Sequence, residues 1–306
     1  MTTPEEAKAV VRRWNDEGWS AGNYDLAHEI IAPVMTVHGA GGQAVGMGPE
    51  GLIDLIKTWR TAFPDGHMTV DDIIVEGDLV GIRNTWHGTQ TDSFYGIPPS
   101  GKEVHVTSVG LDRVKDGQVV EGWGELDMVG MMQELGAMPI AGPGAIATGK
   151  SSEWGEDATT AGEATGSPDD YRALAVRYVE ALGRPDEAAL SEIVDVAGFA
   201  DHNPVWGTED WAGVIAGAHA LRAAFPDLVV TLDRGTIVVE GNQVVAHSLL
   251  TGTHSGEFLG AAPTGKTVTW SHTDFLRFAG GKVVERWVSA DTLTLFQQTG
   301  IVPGGG

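Results

Sequence analysis

Residues 240–303 read EGNQVVAHSLLTGTHSGEFLGAAPTGKTVTWSHTDFLRFAGGKVVERWVSADTLTLFQQTGIVP. Residues 76–139 read EGDLVGIRNTWHGTQTDSFYGIPPSGKEVHVTSVGLDRVKDGQVVEGWGELDMVGMMQELGAMP. The two stretches align without a gap at a constant offset of 164, and 21 of 64 positions are identical. Chance would give only a few, so one folding unit is written twice. The likeness extends upstream: Ala62-Phe63-Pro64-Asp65 matches Ala224-Phe225-Pro226-Asp227, and Val37-His38 matches Asp201-His202.

Each copy has the same coarse order. A helix opens it, over 4–18 and again over 168–183, where Ser167-Pro168-Asp169-Asp170 makes a good N-cap and first turn. A second helix is predicted over 23–32 and 186–195, and a third over 49–63, after Pro49, and 208–225. The remainder is rich in β-branched and aromatic residues. Asp116-Gly117 and Gly280-Gly281 are two-residue hairpin turns between such stretches. A short helix closes each copy, MVGMMQELG or TLTLFQQTG, followed by Pro. Helices first and antiparallel strands after imply an α+β domain with a curved sheet wrapped around its helices. The domains expected are 1–139 and 168–306. The segment 140–167 between them is rich in Gly, Ala, Ser and Thr without apolar periodicity, and reads as a linker.

Composition bounds the function. The 306 residues carry 42 Asp and Glu against 19 Lys and Arg, a formal charge of -23. That balance argues against nucleic acid and anionic membrane as partners, because phosphates call for Lys and Arg. With no cysteine, thiol chemistry, disulfides and cysteine metal sites are excluded. No run approaches the roughly 20 apolar residues of a membrane span. The start, MTTPEEAKAVV, lacks a basic-then-apolar signal pattern. A cytoplasmic protein is therefore expected. No phosphate-binding loop and no nucleophile elbow occur.

The motifs GTHSGEFLGAAPTGK, GGKVVERWVSAD and QQTG, with AAFPDL and DHNP upstream, resemble the SnoaL-like polyketide cyclases of the nuclear-transport-factor-2-like superfamily. The resemblance covers both copies. It implies two tandem cone-shaped α+β barrels, each a curved antiparallel sheet wrapped around helices with a deep apolar pocket. It implies closure of a polyketide ring by intramolecular aldol condensation, with no metal or nucleotide cofactor. It also implies an acid/base Asp on the last strand, which falls on Asp127 and Asp291. The superfamily further holds epoxide-opening enzymes and pocket proteins without catalysis, and fold alone does not choose among them.

Counting back from Gly280-Gly281 places Trp270, His272, Trp287, Ser289 and Asp291 on one sheet face, with His272 diagonal to Asp291 at about 7–8 Å. A carboxylate and an imidazole among aromatics suit proton transfer near neutral pH. The competing reading makes Asp291 the N-cap of the next helix. In the first copy the same count places Glu125 and Asp127 together, opposite Ser108 and Val106, as an acid pair able to split its pKa values. The candidate catalytic residues are thus Asp291, His272, Asp127 and Glu125. Candidate pocket residues are His38, His202, His254, Trp123, Trp270 and Trp287. Arg113 with Glu121, and Arg277 with Glu285, read as cross-strand ion pairs. An Asp–Arg–Asp set for epoxide opening would need an inward-facing Arg, and the count turns Arg277 and Arg286 away from Asp291.

The expected function is cofactor-independent acid/base catalysis on a hydrophobic, polyketide-like small molecule in secondary metabolism. Epoxide opening and non-catalytic small-molecule binding are the alternatives. The two copies are expected to pair within the chain or to form a homodimer.

Overall fold

The computed structural model describes residues 2–138, 164–202 and 210–302. The expected linker lies almost wholly outside them. The chain forms two compact units, built chiefly from residues 1–139 and 157–306. No helix among the described residues is long and apolar enough to cross a membrane.

In the first unit α1 (Pro4–Arg13) starts on a capping box between Thr3 and Glu6, which satisfies orphan backbone donors at the helix start. It runs into a π-helical stretch, Trp14–Ser20, so the expected single helix over 4–18 changes its hydrogen bonding midway. A Cβ at Gly18 would meet the Trp14 ring at 2.5 Å; glycine lets the indole fold back over this turn. Then follow α2 (Leu26–Ile30), β1 (Ile31–His38), β2 (Ala44–Met47), α3 (Pro49–Ala62), β3 (His67–Glu76), β4 (Leu79–Thr89), β5 (Glu103–Lys115), β6 (Gln118–Leu126) and α4 (Met128–Leu135). The sheet order is β2-β1-β6-β5-β4-β3.

The second unit repeats the plan with α5 (Pro168–Leu182), α6 (Glu187–Ile193), β7 (Ala200–Asp201), α7 (Trp211–Ala224), β8 (Val229–Glu240), β9 (Gln243–Thr253), β10 (Thr267–Ala279), β11 (Lys282–Ala290) and α8 (Thr292–Thr299). Its sheet order is β7-β11-β10-β9-β8. The sheets are not purely antiparallel, since β1 pairs with β6 and β7 with β11 in parallel. Nor do they close into barrels: each keeps two edges and curves through interruptions of its ladders.

Helical periodicity sets what is inside. Tyr171, Ala175, Tyr178 and Val179 recur at i, i+4, i+7 and i+8 on α5, and all are buried against β-strand residues such as Val239, Leu276 and Phe278. Each large side chain so buried contributes roughly 1.5–3 kcal/mol. The two hairpin turns form as the sequence predicts, with positive φ at Asp116, Gly117, Gly280 and Gly281, the backbone of a turn that matches strand twist.

Candidate active site

The hairpins do not keep the register that their turns set. In the second unit Ala279 pairs with Lys282 and Phe278 with Val283, but Arg277 then pairs with Glu285, so Val284 has no partner in the ladder. The first unit does the same around Val120, with Val114 opposite Val119 and Arg113 opposite Glu121. One extra residue reverses the facing of everything beyond it. His272 therefore pairs with Ala290 and Asp274 with Val288. His272, Asp274, Arg286, Val288 and Ala290 share the cavity face. Trp287 and Ser289 turn to the opposite face, which corrects the grouping expected from uninterrupted pairing. Likewise Glu125 pairs with Val109 rather than Ser108, so it alternates away from the cavity-lining Gly124 and Leu126.

The second unit holds a cavity of about 110 Å³. Its walls are apolar, with Val179, Leu221, Leu250, Phe258, Trp270 and Phe296 among them; its ionisable lining is His272, Asp274 and Arg286. Arg286 is 5 % exposed and Asp274 1 %. The parallel pairing of β7 with β11 sets Asp201 opposite Arg286. The guanidinium grips that carboxylate in a fork, Nε to Oδ1 at 3.1 Å and Nη2 to Oδ2 at 2.8 Å, and its Nη1 donates to the Tyr178 hydroxyl at 3.3 Å. Burial disfavours the Arg286 charge, but Asp201, then Tyr178 and Asp274, outweigh it and raise the pKa. Burial likewise raises the Tyr178 pKa, so the phenol stays protonated.

Asp274 stands on the other side of the guanidinium. Its Oδ1 lies 3.9 Å from Arg286 Nε, and its Oδ2 lies 3.8 Å from His272 Nδ1. Both distances are too long for hydrogen bonds, and the buried Oδ1 has no hydrogen-bond partner. A buried carboxylate oxygen left open costs desolvation free energy, which a ligand donor would recover. Burial lowers the His272 pKa; the Asp274 carboxylate opposes that effect and Arg286 adds to it. The imidazole is thus neutral near neutral pH and able to accept a proton.

Other expected residues sit elsewhere. Asp291 caps α8, accepting from Thr294 N at 3.2 Å, and Asp127 caps α4, accepting from Gly130 N at 2.8 Å. Neither lines either of the two cavities described for the units. Burial raises the Asp127 pKa, partly offset by the Gly130 bond. His202 stacks on Trp287 at 4.6 Å and bonds Glu285 at 2.5 Å, while His38 stacks on Trp123 at 4.6 Å and bonds Glu121 at 2.9 Å. These histidines extend the Arg277–Glu285 and Arg113–Glu121 pairs. Trp123 also borders the first cavity. His254 is fully buried and bonds Thr264 at 3.1 Å, steadying the loop that the Phe258–Ala261 bridge closes. Burial lowers its pKa. Gln90 holds the matching loop through Ile97 and Ser100. Asn203 and Trp206 lie outside the described residues.

The first unit has its own cavity, of about 370 Å³. The positions matching Tyr178, Asp201, His272, Asp274 and Arg286 are Trp14, Val37, Ser108, Gly110 and Gly122. The entire charged set is missing there. Asp112, opposite Gly122, is the one ionisable acid or base apart from Tyr95 among the described residues that line the cavity. Burial alone pushes its carboxyl up to about 7.

Asp201, Asp274, Tyr178 and Asp112 were not among the residues singled out from sequence. The signal for Asp274 was parity: at i and i+2 on β10, His272 and Asp274 share a face whatever the register. Arg286 was considered and turned outward only because the bulge at Val284 is silent in the sequence.

The sequence model for SnoaL-like polyketide cyclase matches residues 9–135 and again residues 172–299. No curated protein matches the chain. Solved structures similar to it include a SnoaL-like polyketide cyclase candidate from Jannaschia sp. CCS1, at 33% identity over 44% of this chain and 95% of its own, with a TM-score of 0.41. IdmH, a polyketide cyclase candidate from Streptomyces antibioticus, is similar at 31% identity over 42% and 98%, with a TM-score of 0.38. AclR, a hydroxylase candidate from Streptomyces galilaeus, is similar at 26% over 45% and 100%, with a TM-score of 0.41. With the family model matched twice over most of its length, the chain belongs to the SnoaL-like polyketide cyclase family, in two tandem copies.

Proposed function

We propose that the second unit catalyses acid/base ring closure of a polyketide-like carbonyl compound, with His272 and Asp274 as the working pair. The observation that carries this reading is the His272 imidazole 3.8 Å from the buried Asp274 carboxylate, whose other oxygen is open, both on the wall of an apolar cavity. His272 takes a proton from carbon α to a carbonyl. The enolate carbon attacks a second carbonyl carbon of the same molecule, and the C–C bond forms. The resulting alkoxide takes the proton back from the imidazolium. Asp274 stabilises the transient imidazolium, and Arg286 keeps the pair of carboxylates from accumulating charge. The apolar walls fold the substrate so that closure is an oriented unimolecular step. Net atoms and electrons are unchanged.

The test is hydrogen exchange at the α-carbon of an aryl 1,3-diketone probe in D2O, followed by NMR. The wild type accelerates exchange. His272→Gln and Asp274→Asn each lose most of it, about 100-fold or more for a general base. Exchange unchanged in both variants would end the assignment.

A second reading rests on a separate observation: Asp201, Arg286 and Asp274 form an acid–Arg–acid row with Tyr178 on the guanidinium. Such a row suits hydrolytic epoxide opening, with one carboxyl protonating the ring oxygen and the other, as carboxylate, accepting a proton from the attacking water. Incubation of an aryl epoxide in 18O-labelled water separates the two readings, because hydrolytic opening fixes the label in a diol and aldol closure does not.

A further inference from the structure

The first cavity presents a different chemical problem, independent of the reading above. Asp112 projects from β5 beside Gly122, where a Cβ would stand 3.1 Å from its Oδ1. Among the described residues no Lys, Arg or His lines this cavity. The cations and anions nearby are directed elsewhere. On β4, β5 and β6 the charged residues Arg83, Arg113, Glu121 and Glu125 occupy odd positions, whereas the strand lining is Ile82, Asn84, Ser108, Gly110, Asp112, Gly122, Gly124 and Leu126 with Trp123 the odd exception. On α1, Arg13 pairs with Glu17 and Glu29. On α3, Arg60 donates to the carbonyls of Trp19, Ser20 and Gly66. On β1, His38 bonds Glu121. Among the described residues that line the cavity, the Asp112 carboxylate meets no basic side chain.

The cavity wall itself is largely aromatic: Trp14, Trp19, Trp59 and Trp123 line it together with Tyr95. Tyr95 is 62 % exposed and holds a left-handed backbone, φ 44°, a conformation costly for a bulky residue. Indole faces attract cations, and the attraction grows as water is excluded. Asp112 is half-buried, and a carboxyl so placed without a cation favours keeping its proton or gaining a positive partner from outside.

We propose that the first cavity is a binding site for a hydrophobic amine, whose ammonium pairs with Asp112 while the tryptophans pack on its ring system. Asn15, Asn84 and Ser108 supply further hydrogen-bonding groups along the wall. The two units of the chain thereby take ligands of different charge.

The experiment uses the full chain and two probes of one shape, 1-naphthylmethylamine and 1-naphthalenemethanol, titrated by tryptophan fluorescence and calorimetry. At pH 7.5 the amine binds at least about tenfold tighter than the alcohol. The preference falls to about one in Asp112→Asn and persists in Asp274→Asn. It also vanishes in the wild type at pH 4.5, where Asp112 holds its proton, so the result does not hang on the variant folding. Amine binding at pH 7 releases protons, read from heats measured in buffers of different ionisation enthalpy. Equal affinity for the two probes at pH 7.5, or an amine preference that survives Asp112→Asn, overturns the proposal.

Discussion

Arg286 holds the Asp201 carboxylate in a two-pronged grip while both side chains are nearly removed from water. Breaking one side of such a pair strands the other charge in the interior. Arg286→Met is therefore expected to cost about 3–5 kcal/mol of folding free energy, measured by urea denaturation. Arg286→Met combined with Asp201→Leu is expected to recover much of that loss, since no unpaired carboxylate remains at position 201.

The caps make an opposite prediction. Asp291→Ala removes an acceptor for Thr294 N and is expected to lower stability by about 1 kcal/mol. Asp127→Ala does the same at Gly130. Neither change is expected to alter α-proton exchange by more than about twofold. A large loss of exchange in Asp291→Ala at unchanged stability would return Asp291 to the chemistry.

His272 gives the stability a pH signature. Its folded pKa lies below the ordinary imidazole value of 6.5, chiefly through burial. As pH falls through 6.5 the unfolded chain binds a proton that the folded imidazole refuses. The wild type then loses stability from 6.5 downward until the folded pKa is reached. Thermal unfolding between pH 7.5 and 5.5 is expected to fall more steeply for the wild type than for His272→Gln.

Asp112 runs the other way. Its carboxyl is raised from 3.8 to about 7, so its contribution is fully favourable below 3.8 and is lost as pH rises to about 7. Asp112→Asn is expected to be the more stable protein at pH 8, with the advantage shrinking toward pH 4. Denaturant midpoints at the two pH values check this.

The duplication, the α+β order, the two-residue turns and the third helices were legible because each rests on local chemistry: Pro49 at a helix start, Gly280-Gly281 at a turn, β-branched runs between. The site was only half legible. His272 on the cavity floor follows from alternation along β10, but its partners across the hairpin depend on how many residues separate the turn from the floor in the ladder. Val120 and Val284 look like any other strand valines, and nothing in their side chains announces that they stand unpaired. Asp201 faced a related difficulty. It meets Arg286 through a two-residue parallel pairing whose sequence separation no periodicity reveals.

The shared slip at Val120 and Val284 has an engineering meaning. Because both hairpins lose phase at the same place, a segment such as 103–126 can be exchanged for 267–290 with its inward and outward sets intact. Ionisable groups could be traded between the two units with little change of backbone. Removing Val284 alone would leave Arg286 opposite Leu276 and facing the cavity, whereas pairing Val284 in the register set by the turn would turn Arg286 out and its neighbours in. The hairpin works as an indexed cartridge, and a one-notch error in loading it reverses its contents.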